Sequence, residues 1–155
     1  MQYLGRAARG ICPVVMDTLS PSQRSERMSR VRGKHTAPEL AVRRELFSMG
    51  YRYRLHCAKL PGRPDIVLAG RRKVIFVNGC FWHLHVGCKA ARLPKSNIDF
   101  WRTKLRENAS RDRRNRHRLT EDGWSVLTIW QCQVDAPDLC SRLAEFLRAS
   151  KSNAS

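Results

Sequence analysis

The apolar positions of this chain fall in short blocks separated by Gly, Pro and helix-capping residues. Val74-Ile75-Phe76-Val77 is an unbroken apolar run and predicts a buried strand. Residues 124–130 are apolar on both faces, which predicts a central strand. Residues 65–69 form a further strand, joined to residues 73–77 as a hairpin around Gly70-Arg71. Residues 51–56 alternate large groups and predict a strand ahead of the turn Pro61-Gly62-Arg63-Pro64.

Helical signals fill the gaps. Ser20-Pro21-Ser22-Gln23 opens a helix with Ser at the N-cap, Pro at N1 and Gln at N3. It runs to about Gly33 and carries Arg24, Arg27, Arg30 and Arg32, with only Met28 and Val31 as apolar anchors. Thr36-Ala37-Pro38-Glu39 is a second capping box. Behind it Leu40, Val42, Leu46, Phe47 and Met49 supply helical spacing, and Gly50 stops the helix. Asn97 caps a long helix that reaches about Asp122 and ends at Gly123. Asp135 caps a last helix with Leu139, Leu143, Phe146 and Leu147 inward. The order helix, helix, three strands, helix, strand, helix predicts an α/β domain, a mixed sheet with helices on both faces. Residues 1–15 read as a disordered extension, residues 16–150 as one domain and residues 151–155 as a disordered tail.

Charge changes this picture most. The 155 residues hold 30 Lys and Arg against 13 Asp and Glu, a net charge of +17. Cations recur from Arg6 to Lys151, so the folded surface itself is basic and suits a polyanion, nucleic acid first. Such binding weakens steeply with salt. No stretch approaches the roughly 20 apolar residues that span a bilayer. The short, Arg-interrupted N-terminus does not read as a signal peptide, so a cytoplasmic, reducing location is expected. There, clustered Cys and His point to metal rather than disulfides.

The cluster is Gly79-Cys-Phe-Trp-His-Leu-His-Val-Gly-Cys88, at the exit of the 74–77 strand. Cys80, His85 and Cys88 are three candidate zinc ligands in one loop, and Cys132 closes a fourth position if its strand is a neighbour. Plain buried thiols are the alternative. Cys12, Cys57 and Cys140 lack partner residues and read as non-ligands. Asp65, at a strand start in a chain short of acids, suits a Mg²⁺-holding carboxylate or a simple turn cap. Glu39 is already explained by its capping box. His83 suits proton transfer or polar surface. Phe81 and Trp82 suit stacking on bases or cover for the loop, and Trp101 suits either joining them or helix core.

Taken in order, Pro61-Gly62-Arg63-Pro64-Asp65, Gly79-Cys80-Phe81-Trp82-His83, Phe100-Trp101, Arg111-Asp112-Arg113-Arg114, Gly123-Trp124 and Trp130-Gln131-Cys132 resemble the very short patch repair endonucleases over about residues 17–148. The resemblance implies a restriction-endonuclease-like fold with a structural zinc. It implies a Mg²⁺-dependent endonuclease that nicks one strand of double-stranded DNA 5′ to the thymine of a T:G mismatch, leaving 3′-hydroxyl and 5′-phosphate ends. By motif, Asp65 and the Val77 backbone hold Mg²⁺, His83 acts at the scissile phosphate and Glu39 supports them. Cys80, His85, Cys88 and Cys132 hold zinc, and Phe81, Trp82 and Trp101 wedge into the duplex. The basic first helix, Arg24, Arg27 and Arg30, with Lys34 beyond it, clamps the DNA. The expected form is a nucleoid-associated monomer with a functional link to a cytosine methyltransferase. The chain departs from the best-known pattern at Val77-Asn78, where Thr-His is usual, at Leu84, and in a His85-to-Cys88 spacing one residue longer. Two other readings stay open: a zinc-stapled nucleic-acid-binding module without catalysis, and a restriction-type nuclease for matched sites.

Overall fold

The computed structural model describes Ser20, Ser22, Gln23, Glu26 and residues 33–149. The chain divides into two units, residues 1–31 and residues 32–155. In the first, Ser20 and Gln23 form the expected reciprocal cap. The Ser20 amide donates to Gln23 Oε1 at 2.9 Å, and the Gln23 amide donates to Ser20 Oγ at 3.3 Å. Arg24, Arg27 and Arg30, the 1–15 extension and the 151–155 tail lie outside the described residues.

The second unit is built on a four-stranded sheet. Its elements are α1 (Ala37–Ser48), β1 (Arg54–Leu55), β2 (Ile66–Leu68), β3 (Lys73–Asn78), α2 (Ile98–Glu121), β4 (Ser125–Trp130) and α3 (Leu139–Arg148). The strand order is β1-β2-β3-β4. β1 and β2 pair antiparallel, as do β2 and β3, and β3 pairs parallel with β4. A parallel pair needs a crossover, and the 24-residue α2, about 36 Å long, supplies it.

Alternation divides the core. Ile66, Leu68, Ile75 and Ile129 face Val42 and Leu46 of α1 and Leu139, Leu143 and Leu147 of α3. Val67 and Val74 face the other way, onto Leu119 of α2, with Trp124 and Val126 beside them. The sheet is therefore covered on both faces, as the pattern predicts. Lys73 is buried and ties the unit together. Its Nζ donates to the carbonyls of Phe146, Leu147 and Ala149 at 2.5, 2.9 and 2.6 Å, satisfying the open end of α3.

Four expectations need correction. β4 is the last strand of the order, not a central one; its two faces are covered while one backbone edge is not paired among the described residues. On α1, Leu40 and Phe47 are 43% and 61% exposed, so only Val42, Leu46 and Met49 of the apolar set pack inward. The N-cap of α3 is Asp138, not Asp135. Asn97 does precede α2, but it adopts a left-handed backbone (φ 53°) without a side-chain cap; Asn tolerates that conformation.

Candidate active site and metal centre

The antiparallel β2–β3 register sets the carboxylate of Asp65 beside the far end of β3. The Val77 amide donates to Asp65 Oδ2 at 2.7 Å. The other oxygen, Oδ1, lies 3.8 Å from His56 Nδ1. Burial raises the Asp65 pKa above its ordinary 3.8, the Val77 hydrogen bond opposes this, and the nearby Glu39 charge adds to the rise. Such a carboxylate is poised to gain from a cation.

Asp65 opens into a cleft of about 520 Å³. Val77, Asn78 and His83 line it from β3 and the loop beyond. Asp112, Asn115 and Arg116 line it from the middle of α2. This explains the composition of that helix. Trp101 and Leu105 near its start and Leu119 near its end are buried in packing, while the charged middle faces the cleft. Gly62 lets the turn before Asp65 sit against α2, since its φ is +73° and a Cβ there would meet Asn115 Cβ at 3.0 Å.

His83 Nδ1 lies 2.5 Å from Asp112 Oδ2. An ionised carboxylate only accepts, so the ring proton belongs on Nδ1 and Nε2 is left to move a proton or meet a phosphate. Lys34, Arg63, Arg111 and Arg116 give the cleft its positive rim. Asp112 had no role from sequence. Its signal was present: it is the one acid in the cationic run 111–118. His56, also in the cleft, left no comparable mark.

Glu39 does two things at once. Its Oε2 accepts from the Thr36 amide at 3.4 Å, which is the capping role. Its Oε1 bonds Arg43 and lies 3.1 Å from His56 Nε2, which links it toward Asp65. It is 2% exposed.

The cysteine loop is set by the parallel β3–β4 register. Asn78 pairs with Trp130, so Cys80 and Cys132 each lie two residues past a matched pair. The ligand atoms of Cys80, His85, Cys88 and Cys132 lie within 4.8 Å of one another. His85 Nδ1 is 3.5 Å from Cys80 Sγ and 3.3 Å from Cys132 Sγ. A tetrahedral zinc, with bonds of about 2.3 Å to sulfur and 2.0–2.1 Å to nitrogen, sets neighbouring ligands about 3.5 Å apart. The donor set fits that ion. His85 stacks on Trp130 at 4.2 Å with 5° between the planes, which fixes its ring. The Trp130 amide donates to Gln133 Oε1 at 3.1 Å, shaping the turn that carries Cys132. Desolvation, followed by the Cys80 and Cys88 sulfurs, pushes the Cys132 thiol up to about 11, whereas the Cys88 thiol is lowered, chiefly by the Ala90 backbone hydrogen bond. Cys57 and Cys140 lie outside the cluster.

Phe81 and Trp82 pack edge-to-face at 5.1 Å, and Trp101 lies 5.4 and 6.0 Å from them. Trp101 is 7% exposed and forms the floor of this group. Phe100, not singled out from sequence, lies 5.3 Å from Trp101 and is 58% exposed. Asn108 on α2 donates to the Trp82 carbonyl at 3.2 Å, tying the aromatic loop to the cleft helix.

A carboxylate at a strand start and a His–Asp pair thus meet in one basic cleft, with aromatic rings on the adjoining loop. The family model described as DNA mismatch endonuclease Vsr matches residues 16–89. A type II nicking enzyme of Xanthomonas oryzae, V.XorIIP, is 50% identical over 135 residues, covering 86% of this chain and 98% of the relative. The type II nicking enzyme V.NmeAIP of Neisseria meningitidis is 39% identical over 136 residues, covering 87% and 96%. The DNA mismatch endonuclease Vsr of Escherichia coli is 40% identical over 118 residues, covering 76% and 75%. The chain belongs to the Vsr family of DNA mismatch endonucleases. No helix among the described residues is long and apolar enough to cross a membrane.

Proposed function

We propose that this endonuclease hydrolyses one strand of double-stranded DNA 5′ to the mispaired thymine of a T:G mismatch, with a catalytic Mg²⁺ and a structural Zn²⁺, on a restriction-endonuclease-like scaffold. The observation that carries this reading is the meeting of Asp65 and the His83–Asp112 pair in one basic cleft. A pure binding module has no use for a partly desolvated carboxylate at that position. The name of the Escherichia coli relative supports the mismatch as substrate. The expected location is the cytoplasm, near the DNA, as a monomer, with a link to a cytosine methyltransferase.

Asp65 and the Val77 carbonyl would hold Mg²⁺. Bound there, the ion would supply charge neutralisation at the scissile phosphate and lower the pKa of a nearby water. His83, its Nδ1 fixed by Asp112, would take the proton of that water at Nε2 as its oxygen bonds to phosphorus and the P–O3′ bond breaks, the departing 3′-oxygen gaining a proton from solvent. Glu39 supports the site from behind His56. Asn78, buried at the end of β3, stands where a His is usual and leaves His83 as the imidazole for this step. Cys80, His85, Cys88 and Cys132 would hold Zn²⁺, stapling the loop that presents His83 and the aromatic rings.

Phe81 and Trp82 enter the duplex beside the mismatch, where unstacking costs less, and Trp101 meets the opened step as they move. Lys34, with Arg24, Arg27 and Arg30, binds phosphates and gives affinity without sequence preference. The test is cleavage of end-labelled duplexes carrying T:G or T:A at one position. A nick 5′ to the thymine in the T:G strand, with Mg²⁺ and not with EDTA, is expected. Equal nicking of the matched duplex would favour a restriction-type nuclease instead.

A further inference from the structure

Four side chains meet behind the cleft. Arg43 is buried, and its Nη1 lies 2.9 Å from His35 Nδ1. Its Nη2 bonds Glu39 and lies 3.0 Å from His56 Nε2. His35, Glu39 and His56 gather ligand atoms within 4.8 Å, a set that would suit a metal. The guanidinium already supplies the cation there. Its Nε has no partner among the described residues, so the Nη contacts alone determine how it sits.

The opposite edge of the His56 ring faces the active site. Nδ1 lies 3.8 Å from Asp65 Oδ1, and the His56 amide donates to the Asp65 carbonyl at 3.3 Å. His56 Nε2 is met both by Arg43 Nη2 at 3.0 Å and by the Glu39 Oε1 acceptor at 3.1 Å, so this edge of the ring is gripped by two fixed side chains. We infer that His56 is a positioning residue: Arg43 and Glu39 grip its Nε2 edge, so that its Nδ1 edge is turned onto the Asp65 carboxylate. Asp65 is then oriented from two sides, by the Val77 amide on Oδ2 and by His56 on Oδ1. The 3.8 Å gap is longer than a hydrogen bond, and such contacts tighten when the site is loaded. Residues behind a metal-holding carboxylate commonly change metal affinity or activity by about 10–100-fold.

This inference rests on reading Asp65 as a metal-holding residue. Its test compares wild type, His56→Ala and His56→Asn, whose side-chain amide can replace the Nδ1 contact. Two readouts are used: Mn²⁺ affinity by electron paramagnetic resonance without DNA, and the Mg²⁺ midpoint of single-turnover nicking. His56→Ala should weaken Mn²⁺ binding and raise the Mg²⁺ midpoint about 10–100-fold with DNA affinity unchanged. His56→Asn should recover to within about threefold of wild type, which a merely structural role would not produce. An unchanged His56→Ala, or equal damage in the Ala and Asn variants, would overturn the inference. A wild type that neither nicks DNA nor binds Mn²⁺ would overturn the functional reading and this inference with it.

Discussion

Replacing Asp112 by Asn tests whether the long helix contributes chemistry or only charge. In the structure Asp112 Oδ2 lies 2.5 Å from His83 Nδ1, with both side chains partly covered. Asn is nearly isosteric but can present either its carbonyl or its NH₂ to the imidazole. It thus removes the charge and loosens control of the tautomer. A hydrogen bond to a charged group is worth about 1.5–3 kcal/mol, and partial exposure favours the lower half of that range. At about 1.4 kcal/mol per decade, the chemical step should slow about 10–100-fold. The assay is single-turnover nicking of a T:G duplex at saturating enzyme, with DNA affinity measured separately by fluorescence anisotropy. Affinity should change by no more than about twofold, since one fewer negative charge near the cleft slightly favours binding. The double variant His83→Ala/Asp112→Asn should be no slower than His83→Ala, because Asp112 acts through His83. Wild-type nicking by Asp112→Asn would refute the reasoning. So would a loss that adds fully to that of His83→Ala.

Three further outcomes are expected. Asp65→Asn should lower nicking by about 10²–10³-fold while raising the thermal midpoint. The folded pKa of Asp65 is raised, so its cost is absent below 3.8 and grows as pH rises through the folded value; the gain in midpoint should therefore be larger at pH 7 than at pH 4, as read by thermal melts. Cys132→Ala should lower zinc content, by metal analysis, well below the one ion per chain expected for wild type, and chelation of wild type should lower its melting point. Lys73→Met leaves three carbonyls at the end of α3 without their donor and should destabilise by about 2–3 kcal/mol in denaturant melts, with Asp65 and the cleft untouched.

Local rules made much of this fold legible. The two capping boxes, at Ser20–Gln23 and Thr36–Glu39, depend on residues three apart, and both are present. The Gly70-Arg71 reversal and the long crossover helix follow from spacing in the same way. β4 misled because its apolar character reports two covered faces, whereas sheet position depends on backbone pairing at its edge, which side chains do not encode. Leu40 and Phe47 fit a helical stripe wider than the surface α1 covers. At the site, the placing of Asp65 at the cleft and of Cys132 beside the loop cysteines follows from each standing at a strand end. Asp112 and His56 were not legible, because their meaning depends on contacts across the fold. Asp112 meets His83 from 29 residues away, and His56 joins Glu39 to Asp65 only once α1 packs behind the sheet.

The central claim is that Asp65 serves hydrolysis, and that DNA affinity comes from the basic and aromatic residues around it. Its most direct test is nicking and binding of one T:G duplex by wild type and Asp65→Ala, side by side, with Mg²⁺. The account predicts that Asp65→Ala binds the duplex as tightly as wild type and leaves it uncut. Mg²⁺-dependent nicking by Asp65→Ala at the wild-type rate would contradict it.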